Sequence, residues 1–373
     1  MTARLAIALL LAFQAPAIAQ PAPDSLTTRV LAELREFTDW LDRHDVKGYI
    51  GEFGWPDDRR RDAHLWQELA KAWYVEAERA DLWITYWATG EWWGDKYILA
   101  AYEDRDRKPG VESPSTQAAV IENHSGRPGR GIVDAGGEFG YAPTTQRTNP
   151  FSNENPGIYN RDYHYDTAAT FRFLASRDMY VVKVPFRWER LQPVPGGRLD
   201  AAELRRLRAV VERAGKAGLE VIFDMHNFGA YYLEHQGRGH RCSIGQPGCG
   251  IRDFADAWRR IGLAFRSSEY VTGYTLMTEP VAMRKRGATT GAELWRRASQ
   301  AAVTAMRRAG EEDAVLFISG YHWSGAADWN RYNPGPWITD PSNLIRYEAH
   351  HYWDRDHSGR YRHSYQEEVA AVT

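Results

Sequence analysis

The chain has 373 residues, with 47 Lys and Arg against 49 Asp and Glu and 43% hydrophobic residues. A formal charge of −2 argues against nucleic acid as the main partner, since phosphate binding needs a net basic surface. No interior run reaches the ~20 apolar residues of a membrane span. The length allows two or three domains, or one large α/β barrel. An excess of rings, with 15 Trp, 20 Tyr and 13 Phe, is compatible with core packing and with platforms for sugar faces.

The first 19 residues read as a signal peptide, leaving residues 20–373 as a single expected domain. Met1–Arg4 is a short basic start, Leu5–Phe13 an apolar stretch, and Ala17-Ile18-Ala19 a small-residue cleavage site. The protein is therefore expected in the periplasm or outside the cell, as a monomer without a membrane span. Helical spacing of apolar residues runs from Thr28 to Asp42 and from Asp62 to Glu78, each following or preceding a short apolar run. Glu103–Arg130, rich in Pro, Gly and Ser, reads as a surface connection.

Further on, helices are expected at Tyr165–Ser176, Ala201–Lys216, Asp253–Arg266 and Gly291–Arg308. Strands are expected at Gly48–Gly54, Leu82–Ala88, Ile132–Ala135, Tyr180–Pro185, Leu219–Met225, Val271–Met277, Ala314–Ser319 and Leu344–Ala349. Strand alternating with helix implies parallel β/α units, and eight strands is the number that closes a (β/α)8 TIM barrel. Cys242 and Cys249 sit close together in a Gly- and Pro-containing loop, where a local disulfide is plausible in an exported protein.

Polar residues stand at the ends of separate strands. Glu52 follows the first and Trp87 closes the second. Lys183 lies in the fourth, His226 and Asn227 follow the fifth, Thr278 and Glu279 the sixth, and His350 and Tyr352 the last. A single Glu after a strand is usually a solvated loop residue. Convergence of all these groups on the C-terminal mouth of one barrel is the layout of a catalytic site. Two carboxylates there suit glycosidic bond cleavage, one protonating the leaving oxygen and the other attacking the anomeric carbon or activating water. A metal site built from His350, His351, Asp354, Asp356 and His357 is disfavoured, because successive residues of a strand face opposite ways. No metal and no cofactor is expected.

The motifs are specific. Val182-Lys183-Val184-Pro185-Phe186-Arg187-Trp188-Glu189-Arg190-Leu191-Gln192-Pro193 resembles the second-strand motif of glycoside hydrolase family 5, the cellulase family. Asp224-Met225-His226-Asn227 is similar to the family's third-strand motif, Thr278-Glu279-Pro280 to its Asn-Glu-Pro, and His350-His351-Tyr352 to its sixth-strand motif. Gly51-Glu52-Phe53-Gly54 resembles the seventh-strand nucleophile motif. Trp83–Trp87 with Gly90-Glu91-Trp92-Trp93 resembles the eighth. The family's last two strands thus come first here, and the expected fold is a circularly permuted barrel.

The resemblance implies a retaining hydrolase of β-1,4-linked polysaccharide, endo-β-1,4-glucanase-like, with Glu279 as general acid/base and Glu52 as nucleophile. It also implies that Lys183, His226, Asn227, Thr278, His350, Tyr352 and Trp87 bind the sugar or orient the carboxylates. Trp55, Trp92, Trp323 and Trp329 are candidates for further ring platforms. Lys183 stands where the family usually has Arg, and Thr278 where it has Asn beside the acid/base. Those departures leave open a mannanase, a xylanase, a hydrolase of decorated β-glucan, and a non-catalytic carbohydrate-binding protein on a decayed barrel. Gly137-Glu138-Phe139-Gly140 repeats the Glu-Phe-Gly of Glu52. Its distance from the fourth strand instead matches the family's first strand, so Glu138 is expected to line or support that strand's end.

Overall fold

The computed structural model describes residues 23–94, 96–103, 110–140, 151–284 and 287–372. The expected signal segment, residues 1–19, lies outside them.

Eight parallel strands close into a barrel: β1 (Lys47–Glu52), β2 (Trp83–Thr89), β3 (Arg130–Asp134), β4 (Val181–Phe186), β5 (Glu220–Met225), β6 (Val271–Thr275), β7 (Val315–Ser319) and β8 (Ile345–His350). Each pairs with its neighbours in sequence, and β1 pairs with both β8 and β2. The main outer helices are α1 (Ser25–His44), α2 (Ala63–Arg79), α3 (Ala168–Ala175), α4 (Ala201–Lys216), α5 (Ile251–Phe265), α6 (Gly291–Arg308) and α7 (Tyr365–Val372). Each expected strand and helix is present with its ends shifted by a few residues.

The helices form where side-chain caps and an apolar stripe coincide. Asp200 accepts from the backbone of Ala202 and Glu203 at the start of α4, and Thr290 with Glu293 forms a capping box on α6. Their buried faces (Leu207, Val210, Val211 and Ala214 on α4; Leu294, Trp295, Ala298, Ala302 and Val303 on α6) pack on the strands.

Inside the barrel the strand alternation sorts side chains into layers. Tyr49, Val181, Ile222 and Phe317 make an apolar layer, with Tyr49 and Phe317 ring centroids 4.5 Å apart. Two residues further along β4 and β5 come Lys183 and Asp224, joined in the interior by Glu348 of β8, all fully buried. Two further again come His226 and His350, at the mouth. The layering is a direct consequence of period two.

Glu103–Arg130 corrects the surface reading. A two-residue strand pair (Tyr102–Glu103 with Ser113–Pro114) and a helix (Ala118–Asn123) occupy it, with Val111, Gln117, Val120 and Ile121 buried. The Gln117 amide donates to the carbonyls of Trp55 and Ile98, both at 2.9 Å, and ties the segment to the barrel. After β5 a hairpin (Ala230–His235 with Arg238–Ser243) was not foreseen, and its second strand carries Cys242. Cys242 and Cys249 form a disulfide.

Candidate active site

Glu52 is the last residue of β1, where strict alternation after Tyr49 and Gly51 turns it away from the barrel axis. The pairing of β1 with β8 shifts register between Ile50 and Glu52. That bulge re-aims the Glu52 side chain into the mouth, as bulges beside active sites do. Gly51 is required for a second reason. A Cβ there would collide with the Glu348 carboxylate inside the barrel.

Glu279 arrives on the loop after β6 with φ 47°, a left-handed backbone at a non-glycine residue directly before Pro280. Such a conformation costs ~1–3 kcal/mol and concentrates at functional sites. A carboxylate oxygen of Glu279, one of Glu52 and a ring nitrogen of His350 all lie within 4.8 Å of one another. His350 Nδ1 is 2.8 Å from Glu279 Oε1 and 3.5 Å from Glu52 Oε2, and the Tyr352 hydroxyl donates to Glu52 Oε2 at 3.1 Å. Glu52 Oε1 is buried with no hydrogen-bond partner among the described residues.

Burial drives the Glu52 carboxyl above its ordinary range, opposed by the charges of His350 and Lys183 and assisted by Glu279. For His350, burial opposes the imidazolium, but Glu52, Glu279 and Glu348 outweigh it and raise the pKa to about 10. A cation held between two carboxylates therefore marks the centre of the mouth.

Beneath lies a support layer in which two carboxylates not named among the expected site residues, Asp224 and Glu348, meet the expected Lys183 and Thr278. Glu348 accepts from Lys183 Nζ at 2.6 Å and from Thr275 Oγ1 at 2.8 Å, with His350 Nε2 3.3 Å away. Asp224 is 3.0 Å from His226 Nδ1, accepts from the Thr278 hydroxyl, and lies 3.8 Å from Lys183 Nζ. Burial penalises both carboxylates, yet Lys183 with the histidines holds each below its ordinary range. Both residues were discoverable. Each stands two positions before an inward-facing histidine on the same strand, so period two places it on the same side.

The expected residues thus divide. Glu52, Glu279, His226, His350, Tyr352 and Trp87 converge on the mouth. The Trp87 ring, half-buried and joined to Ala88 by a cis peptide, lies 5.7 Å from the His226 ring at 28° and donates its Nε1–H to the Tyr97 hydroxyl at 2.7 Å. Lys183 and Thr278 lie below it, fully buried, hydrogen-bonded to Glu348 and Asp224 respectively.

Asn227, expected to bind the sugar or orient the carboxylates, is fully buried beside the strand end. It follows inward-facing His226 and turns the other way, where its amide bonds both Glu189 oxygens at 2.8 and 2.9 Å and the Trp188 N–H at 2.9 Å. Trp55 and Trp329 are also corrected as platforms. Both are fully buried among other rings, Trp55 stacked on Trp353 and Trp329 against Phe37 and Trp40. Trp92 is half-buried and stacks on Phe139. Trp323 is 49% exposed on a loop where His322, Trp323 and Ser324 all adopt left-handed backbone.

Glu279, His350, Tyr352, Trp323 and Arg360 line one side of a cleft of about 410 Å³. His351 also borders it, its ring nitrogens engaged by the Trp73 indole (3.0 Å) and Glu33 (3.2 Å), and Asp354 accepts backbone N–H groups of its own loop. Glu138, just past β3, is buried, and its Oε2 accepts from the Gly136 N–H at 2.7 Å.

Among known proteins, the model of the family described as cellulase (glycosyl hydrolase family 5) matches residues 141–372, well over half of the chain. A protein named probable endo-beta-1,4-glucanase B of Neosartorya fischeri is 29% identical over 256 residues, covering 67% of this chain and 65% of the relative. Endo-beta-1,4-glucanase B of Emericella nidulans is 27% identical, with 65% and 64% covered. The chain thus spans just under two thirds of the length of these relatives. Among solved structures, the endoglucanase Cel5A of Pseudomonas stutzeri in complex with cellobiose is 31% identical, with 62% of each chain covered and a TM-score of 0.52. The endo-beta-1,4-glucanase Xac0029 of Xanthomonas axonopodis pv. citri is also 31% identical, covering 65% of this chain and 72% of that one at a TM-score of 0.51. With a closed β/α barrel and a paired-carboxylate mouth, the chain belongs to the cellulase family, glycosyl hydrolase family 5.

Proposed function

We propose that the protein is an exported, retaining endo-β-1,4-glucanase-like hydrolase, with Glu279 as general acid/base and Glu52 as nucleophile. The observation that carries this is the approach of the two carboxylates, with oxygens within 4.8 Å of each other. Retaining glycosidases hold theirs ~5–5.5 Å apart, and inverting ones leave ~6.5–9.5 Å for a water. In the first step Glu279 gives its proton to the leaving oxygen as a Glu52 oxygen bonds to the anomeric carbon. In the second, Glu279 takes a proton from water, whose oxygen displaces Glu52 and restores both side chains. The Tyr352 hydroxyl and the His350 cation favour the Glu52 carboxylate against the burial that raises its pKa. His226 and Trp87 form the wall against which a sugar ring stacks.

The reading extends to the chain's architecture: residues 20–373 form one permuted barrel, with the motifs of family strands seven and eight placed first. Three features support it. The strands carrying those motifs, β1 and β2, complete the ring between β8 and β3. Helices α7 and α1, adjacent in the family order, meet: Ser25 Oγ donates to the Val369 carbonyl at 3.1 Å and the Tyr365 hydroxyl to Asp24 at 2.7 Å. The family match runs from 141 to 372, after the two motifs at 51–54 and 83–93. The disulfide favours an oxidising compartment and so export.

The test is reducing-sugar release from soluble β-1,4-glucan, mannan and xylan by wild type, Glu52→Gln and Glu279→Gln. Release from glucan above the other polymers, lost by ~10²-fold or more in each variant, supports the reading. Binding without release by any of the three proteins leaves a carbohydrate-binding module instead, and an inverted anomer as first product removes Glu52 as nucleophile.

A further inference from the structure

Away from the Glu52–Glu279 pair, a second group of titratable side chains converges beside the end of β3. Glu91 lies just after β2, Asp134 ends β3, and His164 and Asp166 stand just before α3. His164 Nε2 is 3.3 Å from Glu91 Oε2 and 3.6 Å from Asp166 Oδ1, and the three donor atoms all lie within 4.8 Å of one another.

The other ring nitrogen decides what Nε2 can be. His164 Nδ1 faces the Asn160 side-chain oxygen at 3.1 Å, so it carries a hydrogen and donates. A neutral ring then turns its Nε2 lone pair onto two carboxylate oxygens, which is repulsive unless a proton or a metal cation lies between them. An N–H donated outward while the opposite nitrogen faces carboxylates is the arrangement of a metal-bound histidine.

The carboxylates are braced in the same manner. Glu91 Oε1 accepts from Thr167 N (2.8 Å), Thr167 Oγ1 (2.7 Å) and Thr170 Oγ1 (2.7 Å), leaving Oε2 for the cluster. Asp166 accepts the Glu91 N–H on both oxygens, at 3.1 and 3.0 Å. Asp134, 4% exposed, is hydrogen-bonded through its carboxyl to that of Asp166, the pair sharing a proton, while its Oδ1 is buried with no hydrogen-bond partner among the described residues.

The spacing points to a particular kind of ion. Ligands about 2.0–2.1 Å from a tetrahedral centre stand about 3.3 Å from one another, close to the 3.3 and 3.6 Å found here. A nitrogen donor among carboxylates suits a first-row divalent metal over Ca²⁺, which takes oxygen ligands at longer distances. We propose that Glu91, His164 and Asp166, with Asp134 bracing the Asp166 carboxyl from behind, form a three-ligand binding site for a first-row divalent cation such as Zn²⁺ or Mn²⁺. The site is structural. It ties the segment carrying Trp92 and Trp93 to the end of β3 and to the start of α3, and it does not depend on the hydrolase reading. The competing occupant of Nε2 is a proton, with Arg213, whose charge acts on both Asp134 and His164, completing the balance.

The experiment is calorimetric titration of chelator-stripped whole protein with Zn²⁺, Mn²⁺ and Ca²⁺, alongside the visible spectrum with Co²⁺. Because Glu52, Glu279 and His350 form another cluster able to hold an ion, the titration is repeated in Glu52→Gln. Expected are one Zn²⁺ or Mn²⁺ per chain in wild type and in Glu52→Gln, Ca²⁺ at least tenfold weaker, and a melting temperature raised by the ion. His164→Gln and Asp166→Asn should each weaken binding at least tenfold and remove the Co²⁺ bands. Absence of one-to-one binding in wild type overturns the proposal. Binding that survives both site substitutions, or disappears with Glu52→Gln, overturns it equally. If either substitution prevents folding, the wild-type stoichiometry and Co²⁺ spectrum, compared with those of Glu52→Gln, decide the question alone.

Discussion

The Lys183 ammonium and the Glu348 carboxylate meet at 2.6 Å inside the barrel, with neither side chain exposed. Asp224, also fully buried, lies 3.8 Å from the same ammonium. Lys183 is thus the point where two carboxylates, each carrying a mouth histidine, are neutralised together. Burial lowers the affinity of a lysine for its proton, but here Asp224 and Glu348 reverse that and hold it well above the ordinary value.

Removing this charge should be far more costly than its position below the sugar suggests. Lys183→Met leaves Glu348 and Asp224 buried without their common partner, a change that costs ~3–5 kcal/mol. Lys183→Arg keeps the charge but forces a larger head into filled space, at ~1–3 kcal/mol. Denaturant unfolding of the three proteins measures the order wild type, Arg, Met. A methionine variant as stable as wild type would show that the pair is not structural.

The pH dependence has two separate signs. His350 is raised from 6.5 to about 10. The folded state therefore binds this proton more tightly, and the resulting stability is complete below about 6.5 and lost as pH rises toward about 10. His350→Asn should flatten the fall in unfolding free energy across that window. Activity behaves oppositely at the acid end, because Glu52 attacks only when ionised and burial raises its pKa above the ordinary 4.5. The acid limb of kcat/KM should accordingly have its midpoint above 4.5, and Tyr352→Phe, which removes a donor to the carboxylate, should move it higher. A limb below 4.5 that ignores Tyr352 contradicts Glu52 as the titrating group.

Trp87 combines a half-exposed face with a fixed orientation, its indole N–H anchored to Tyr97 and its ring inclined by 28° to His226. If that face carries a sugar, Trp87→Ala should weaken short oligosaccharides by about tenfold, roughly 1.4 kcal/mol, and Trp87→Phe by less. Equal binding by all three, measured by titration with cello-oligosaccharides, would assign the ring to packing alone.

The strands and outer helices were legible because each β/α unit carries its own short apolar run and its own amphipathic stripe, signals confined to one segment. The mouth was legible in part for the same reason: His226 and His350 sit at regular positions on their strands. What escaped depends on partners distant in the chain. Glu52 is readable from its motif but its aim is not, since strict period two turns it away from the axis and the bulge against β8 brings it inward. Asn227 looked like a neighbour of His226, yet alternation sends it behind the strand to Glu189. Trp55 and Trp323 are indistinguishable by composition. Packing against Trp353 buries one, while the left-handed run His322–Ser324 presents the other.

The meeting of α7 with α1 makes the architecture itself testable. In the permuted reading the covalent break lies between two helices that already touch through Ser25, Thr27, Asp24 and Tyr365. The connection between β2 and β3 would then be the join of the family's original ends. Linking residue 372 to residue 24 through a short glycine-rich tether and opening the chain between Glu103 and Gly110 should restore the family order without altering any strand neighbour. Loop closure over such short spans costs little, so stability should change by only ~1 kcal/mol or so. The relinked protein should keep the circular dichroism and the polysaccharide activity of the starting chain. A relinked chain that fails to fold, while one opened at Glu103 without the tether folds normally, would show that the two helix ends cannot be joined. The permuted reading would then fall.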